Sequence, residues 1–312
     1  MLIVAAVGGN ALLRRGEPLT PEAQERNAQA AGQALGALAR SHRLVITHGN
    51  GPQVGLLALE SGTAGASPAF PLDVLGAESQ GMVGYLLELA LRNELPGRSV
   101  TTVLGQVLVD AADLAFERPT KPIGPFYSRA ESDRLAAAKG WAFGFEGERG
   151  RRLVPSPEPI AILELDAIRA LVAANVVTIS AGGGGVPVVR ESSGRLVGAE
   201  AVIDKDLTAS LLAKELHADA LLLLTDVAAV EERWGDPASR AIRLADPAAM
   251  RSYEFAPGSM GPKVEAAVRF AEATGRTAAI GALEAAAVIL AGEAGTRISL
   301  DAPGITFWEP TP

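Results

Sequence analysis

The sequence predicts an α/β fold built on a mainly parallel sheet with helices on both faces. Three observations predict it. Short continuous apolar runs recur along the chain, as strands buried on both faces require. Glycine-rich loops at residues 8–10, 49–51 and 182–185 each follow such a run. The composition is aliphatic, with 48% of the 312 residues hydrophobic and only 4% aromatic.

The elements follow in order. LIVAAV (2–7) reads as a buried strand, broken by Gly8 and Gly9. Thr20-Pro21-Glu22 reads as an N-cap, a proline at the first helical position and an early acid, starting a helix that runs to about Ser41. RLVITHGNG (43–51) repeats the strand-then-glycine pattern. Residues 76–95 read as a long apolar helix, packed on the core or on a second subunit. SVTTVLGQVLVD (99–110) is rich in β-branched residues and reads as a strand. The rhythm then stops. Residues 111–157 hold Pro119, Pro122, Pro125, Pro155 and Pro157, with arginines at 149, 151 and 152, and read as an inserted subdomain or flap with short strands. NVVTIS (175–180) resumes as a strand, and VPVVR (186–190) with RLVGA (195–199) reads as a hairpin. A helix from about Asp206 to His217, a buried strand within ADALLLLTDV (218–227) and a helix from about Met260 to Thr274 follow. TAAIG (277–281) and RISL (297–300) read as late strands.

Bulk properties exclude several function classes. A net charge of −8 argues against a nucleic-acid binder, which needs a basic face. With no cysteine there is no disulfide, thiolate nucleophile or cysteine metal site. The N-terminus has no basic region before its apolar run, and no apolar run is long enough to span a bilayer. These features predict a cytoplasmic protein with no membrane segment.

In such sheets ligands bind beyond the carboxyl ends of the strands. Glycine loops there let backbone N–H groups approach a phosphate, helped by helix N-termini. Taken alone, each loop is equally a tight strand-to-helix turn. No Gly-Lys dipeptide exists, which excludes a Walker A loop, and Gly49 to Gly55 has one residue too many for the dinucleotide spacing. No G-x-S-x-G nucleophile motif is present. The three histidines are scattered and argue against zinc. His48, inside a glycine loop, suits a site role or a structural one. The chain thus lacks obvious acid–base machinery. Phosphoryl transfer to a carboxylate needs little of it, because the acceptor has no proton to lose; it needs positioning and positive charge.

That need points to lysine. Of 28 basic residues only five are lysine. Three lie in Gly-, Pro- or Asp-rich segments: Lys121 in PTKPIGPFY, Lys205 in VIDKDL and Lys263 in GSMGPKVEA. Lys139 and Lys214 lie on ordinary helical or turn surface. Singly, any of the trio reads as a solvated charge; the arginine-rich background sets the three apart.

At these residues the sequence resembles the carbamate kinases of the amino acid kinase superfamily. The resemblance runs through VGGNALL (7–13), THGNGPQVGLL (47–57), DVLGAESQGMVGYLL (73–87), PTKPIGPFY (119–127), AGGGGVPVV (181–189), EAVIDKDL (200–207), LLLTDV (222–227) and FAPGSMGPKVEAA (255–267). It implies a three-layer αβα sandwich around a mainly parallel, eight-stranded open sheet. It also implies a carbamate-binding lobe over 1–180, containing a protruding lid over 111–157, a nucleotide-binding lobe over 181–312, and a homodimer. The implied reaction is Mg²⁺-dependent transfer between ATP and carbamate, giving ADP and carbamoyl phosphate, run toward ATP synthesis in arginine or related nitrogen catabolism. By resemblance, Gly8, Gly9, Asn10, Gly49 and Asn50 supply groups near the carbamate and the γ-phosphoryl group. Lys205 and Lys263 neutralise phosphate oxygens, and Asp206 organises them. Asp204, Gly182, Gly183, Thr225, Asp226, Val227, Trp234, Met260 and Gly261 fall on the nucleotide side. Asp204 also suits a helix cap. Many superfamily members carry a lysine two residues before the first Gly-Gly pair; here that position is Ala6. Lys121 matches the lid lysine thought to replace it in carbamate kinases. The alternatives are another acyl-phosphate kinase acting on an amino-acid carboxylate, and a nucleotide-sensing module without turnover.

Overall fold

The computed structural model describes residues 1–13, 16–61, 70–255 and 259–309, apart from the side chains of Asn10 and Ala11. The first part of the chain forms β1 (Leu2–Val7), α1 (Gly9–Leu12), α2 (Pro21–Ala39), β2 (Arg43–His48), α3 (Gly51–Glu60), α4 (Leu72–Glu94), β3 (Val100–Val103) and β4 (Gln106–Leu108). Next come β5 (Lys121–Ser128), α5 (Arg129–Lys139), β6 (Ala142–Glu146), β7 (Arg149–Val154), β8 (Ala161–Ile162), α6 (Leu165–Ala173) and β9 (Val177–Ser180). The remainder forms β10 (Val186–Arg190), β11 (Leu196–Gly198), α7 (Lys205–Glu215), β12 (Ala220–Thr225), β13 (Ile242–Ala245), α8 (Pro247–Arg251), α9 (Met260–Thr274), β14 (Thr277–Ala282), α10 (Ala286–Ala291), β15 (Thr296–Ile298) and β16 (Thr306–Phe307).

The main sheet runs β16-β13-β15-β14-β12-β1-β2-β9-β3. From β14 to β3 all neighbours pair in parallel; β15 and β13 run the other way. The sheet has nine strands where the resemblance implies eight. The ninth is the two-residue β16, which adds antiparallel to β13 at the edge. Strands before residue 180 build one half of this continuous sheet and strands after it build the other.

β1 shows why the sheet lies between two helical layers. Leu2, Val4 and Ala6 pack into one core cluster with α7 and α9, where Phe270 is fully buried. Ile3, Ala5 and Val7 pack into a second cluster with Leu35 of α2 and Leu87 and Leu91 of α4. A strand with no polar alternation is the pattern expected when both faces are covered. Each such Leu, Ile or Val contributes on the order of 1.5–3 kcal/mol through burial.

Local chemistry sets the helix starts. Thr20 Oγ1 accepts from the Ala23 amide at 3.3 Å, with Pro21 at the first position of α2. Ser128 and Glu131 form a reciprocal capping box on α5.

The expected strand over 99–110 is two strands in two sheets. The turn between them is held by Gln80 of α4, whose amide accepts from Gly105 N at 2.9 Å and donates to Gly105 O at 3.0 Å. β4 then joins a second sheet of order β11-β10-β4-β8, in which β10 and β11 form the expected hairpin. The irregular region holds a third sheet, β5-β7-β6, backed by α5. This unit is called the lid below. It rests on the body through a small apolar cluster that joins Ile123 and Val154 to Val54, Ala58, Leu72, Leu75 and Val202. At the same contact Gly55 and Gly124 meet backbone to backbone: a Cβ on Gly55 would lie 2.0 Å from Gly124 Cα. Among the described residues, no helix is long and apolar enough to cross a membrane.

Candidate active site

β1 is the switch point of the sheet. The chain leaves it for β2 on one side and returns as β12 on the other. The loops after β1, β2, β9 and β12 therefore open along one edge, where ligands of parallel sheets bind. They are packed tightly together. Gly8 N donates to Leu224 O at 2.7 Å, and Gly49 N donates to Val7 O at 2.9 Å. A Cβ on Gly182 would lie 2.3 Å from the His48 ring. Gly183 has φ +66° and a Cβ there would sit 2.1 Å from the Asn50 amide, so glycine is required on both counts. Gly184 in turn lies against Ile203, just ahead of α7, and its carbonyl accepts from Thr208 Oγ1 at 2.9 Å.

Two polar side chains support these loops. Asn50 is buried and its Nδ2 donates to Ser79 Oγ at 2.7 Å; that hydroxyl donates to Gly76 O at 2.7 Å. His48 is 1% exposed and its Nδ1 lies 3.1 Å from Gly49 O. Burial, aided by the charge on Lys205, lowers its pKa to about 4. The imidazole is therefore neutral near pH 7 and serves as the packing partner of Gly182.

The three lysines singled out in the sequence meet at the start of α7. Lys205 is the first residue of that helix, Lys263 lies in the first turn of α9, and Lys121 begins β5 in the lid. Asp206 holds two of them. Its Oδ1 contacts Lys205 Nζ and its Oδ2 lies 3.0 Å from Lys263 Nζ. Asp204 holds the third, with its Oδ2 2.5 Å from Lys121 Nζ. Asp204 Oδ1 accepts from the amides of Asp206 and Leu207, at 2.9 and 3.4 Å, and so caps α7. Asp204, expected on the nucleotide side, thus has both oxygens engaged within this cluster.

The electrostatics follow from depth. Burial alone would raise Asp206, but Lys205 and Lys263 outweigh it and hold the carboxyl far below the usual range. Burial would likewise raise Asp204, and Lys121 reverses the sign. Lys205 is pushed down to about 8 by burial, and by repulsion from Lys263, against the pull of Asp206. Lys263 goes the other way: the fields of Asp206, Asp204 and Asp226 outweigh its burial and raise it. A cation at a helix N-terminus is unfavourable against the helix dipole, and the acids on either side of Lys205 offset that. Three ammonium groups are thus in direct contact with two carboxylates, with Asp226 nearby.

The remaining expected residues are placed as follows. Gly8, Gly9, Gly49, Asn50, Gly182 and Gly183 line the loop edge. The side chain of Asn10 lies outside the described ones. Thr225, buried at the end of β12, donates from Oγ1 to Asp226 Oδ1 at 3.1 Å. Val227 follows on the same loop. Met260 and Gly261 open α9, in the same turn as Lys263. Trp234 stands 68% exposed on the loop between β12 and β13. Ser79 and Gln80, which fix Asn50 and Gly105, were not anticipated. The available signal was the polar run Glu78-Ser79-Gln80 in the middle of a largely apolar helix.

The Amino acid kinase family model matches residues 1–281. Carbamate kinase of Haemophilus influenzae is 48% identical over 309 residues, covering 99% of this chain and 100% of that protein. Carbamate kinase of Escherichia coli (strain K12) is 51% identical over 298 residues, covering 96% and 99%. Among solved structures, carbamate kinase from Giardia lamblia bound to AMP-PNP aligns with a TM-score of 0.87 at 39% identity, covering 96% of this chain and 98% of that one. With that family model over most of its length and relatives of this identity along nearly all of it, the chain belongs to the amino acid kinase family, within its carbamate kinase branch.

Proposed function

We propose that the protein transfers a phosphoryl group reversibly between ATP and carbamate, giving ADP and carbamoyl phosphate. The observation that carries this reading is the convergence of Lys121, Lys205 and Lys263 on two aspartates at the loop edge, beside a histidine too buried to act as a base. A carbamate oxygen attacks the γ-phosphorus while the bond to the β,γ-bridging oxygen breaks, and ADP leaves with that electron pair. No proton need be removed from the acceptor, so the protein's task is positioning and charge. Lys205 and Lys263 face the charge that gathers on the transferred group, Asp206 orients both, and Lys121 adds a third cation from the lid. Gly8, Gly9 and Gly49, with Asn10 and Asn50, serve the acceptor side in the N-terminal half; the amides of Gly8 and Gly49 are bonded to Leu224 O and Val7 O and so fix the loops rather than donate to the acceptor. Gly182, Gly183, Thr225, Asp226, Val227, Trp234, Met260 and Gly261 serve the nucleotide in the C-terminal half. Carbamoyl phosphate is a reactive mixed anhydride, so running toward ATP in nitrogen catabolism suits the chemistry.

Mg²⁺ belongs to this reading. Among the described residues no group of three His, Asp or Glu forms a metal cage. That fits an ion carried in on nucleotide phosphates, which needs only one or two protein carboxylates. Asp204 and Asp206 lie against lysines; Asp226, exposed at the end of β12 and accepting from Thr225 Oγ1 at 3.1 Å, is a carboxylate at the same edge that would help hold the ion. When bound, Mg²⁺ would neutralise negative charge that builds on the phosphates during transfer.

A homodimer is also part of the proposal, in a cytoplasmic setting that suits a chain without cysteine. Tyr85 and Leu89 stand 64% and 44% exposed on α4. That helix runs beside β3, the unpaired edge of the main sheet, where Thr102 Oγ1 donates to Gly84 O at 3.2 Å. An apolar helix face beside an open sheet edge is a surface that a second copy would cover.

Three outcomes are expected. Incubation with ADP, Mg²⁺ and carbamoyl phosphate yields ATP, and Lys205→Ala or Lys121→Ala lowers kcat about 10²–10³-fold while nucleotide affinity changes less than about threefold; near-normal turnover in either variant would remove that lysine from the mechanism. Because Lys205 has its pKa lowered to about 8 in the free protein, its ammonium form is present below that pH and lost above it. The kcat/KM profile should therefore fall on the alkaline side of pH 8, and Lys205→Arg should move that limb upward; an unmoved limb would assign it to another group. Sedimentation equilibrium should give twice the 32.1 kDa chain mass, dropping to one chain in Tyr85→Glu/Leu89→Glu. A monomeric parent rejects the dimer.

A further inference from the structure

We propose that the extended segment from Glu200 to Asp204 is the seat of the lid, with Asp204 as the latch that parks Lys121 beside the other lysines before any phosphoryl group arrives. The proposal deepens the function above and rests on Lys121 being a charge delivered by the lid.

The segment alternates. Ala201 and Ile203 are buried at 1% and 0% exposure, and Ile203 packs into the core with α7. Residues 200, 202 and 204 engage the lid. Val202 packs against Ile123 and Val154, and its N–H donates to Pro155 O at 2.9 Å. Asp204 takes Lys121 through one oxygen and caps α7 with the other. Glu200 follows the same plan. Its Oε1 accepts from Leu72 N at 3.1 Å at the start of α4, and its charge acts on Arg152 of β7. Both acids are thus fixed to a body helix by one hydrogen-bonded oxygen, and Asp204 in addition holds a lid cation.

This arrangement has the properties of a releasable latch. The cap fixes the Asp204 carboxylate, so the flexible Lys121 stem meets a stationary acceptor. The ion pair is partly shielded, with side-chain exposures of 25% and 14%, so a competing anion can reach the ammonium. The Gly55–Gly124 contact carries no charge and lets the lid seat without a side chain intervening. The segment runs directly into Lys205. The position of the lid and the placement of the first catalytic lysine therefore share one short stretch of backbone. Asp204 is on this account a positioning residue.

The test uses the absence of cysteine. Glu148→Cys, in the turn between β6 and β7, and Ala273→Cys, on α9, place two spin labels at exposed sites on the lid and the body. Their distance distribution is then measured by pulsed electron resonance in the full chain without ligand. The parent is expected to give one narrow population. Asp204→Asn keeps the helix cap, because asparagine caps as well as aspartate, so Tm should stay within about 2 °C. Its amide nitrogen cannot accept from an ammonium group, so a second, displaced population should appear. Salt at about 1 M should produce the same broadening in the parent and little more in the variant. Gly55→Ala places a Cβ 2.0 Å from Gly124 Cα and should displace the lid with every charge intact, in a helix that tolerates alanine well. A distribution for Asp204→Asn that superimposes on the parent's overturns the latch. So does an unmoved distance in Gly55→Ala, because a lid that cannot leave its seat needs no latch. Both readings are taken without turnover, so they stand whether or not the protein makes ATP.

Discussion

A carboxylate buried between two ammonium groups organises this molecule. Asp206 is 3% exposed and touches Lys205 from its own helix and Lys263 from α9. None of these three charges is stable alone at that depth; removing one partner from such a set leaves uncompensated buried charge, at a cost on the order of 3–5 kcal/mol. The aspartate is therefore ionised under all ordinary conditions, and the lysines are held where an anion can reach them. In the proposed chemistry it is these buried ammonium groups that receive the phosphate.

The fold exists around that cluster in a definite sense. A parallel sheet covered on both faces delivers its strand ends and helix starts to one edge. Here three strands bring glycine loops to that edge, β12 adds the Asp226 loop, and α7 and α9 bring two lysines. Loop packing is close enough that Gly182 meets the His48 ring and Gly183 meets the Asn50 amide, which fixes the backbone amides relative to the lysines. The third lysine comes from outside the sheet. It sits on a separate three-stranded unit that touches the body through a small apolar cluster and a glycine-to-glycine contact. Two cations are thus built into the main body of the molecule, and one is carried by the separate three-stranded unit.

Much of this was legible from the chain itself. The unbroken apolar run of β1, the Thr20-Pro21 helix start and the Asp204 cap are local signals, and each stands in the structure where local chemistry puts it. The lysine trio was legible because lysine is scarce here. What escaped depends on contacts between distant residues. The break at Gly105 is imposed by Gln80 from another element. β13 and the edge strand β16 are short, and their existence depends on the neighbours they pair with. The pairing of Asn50 with Ser79, of Gly55 with Gly124 and of Glu200 with the start of α4 leaves no periodic trace, because each partner lies tens of residues or more away.

The central claim is that these ammonium groups gather on one transferring phosphoryl group. A crystal structure with ADP, Mg²⁺ and aluminium fluoride, a planar stand-in for that group, tests it most directly. The expected result places Nζ of Lys121, Lys205 and Lys263 each within about 3.2 Å of the fluorides or the adjoining phosphate oxygens, with Lys121 drawn away from Asp204. A stand-in bound elsewhere, with all three lysines still on their aspartates, would contradict the account.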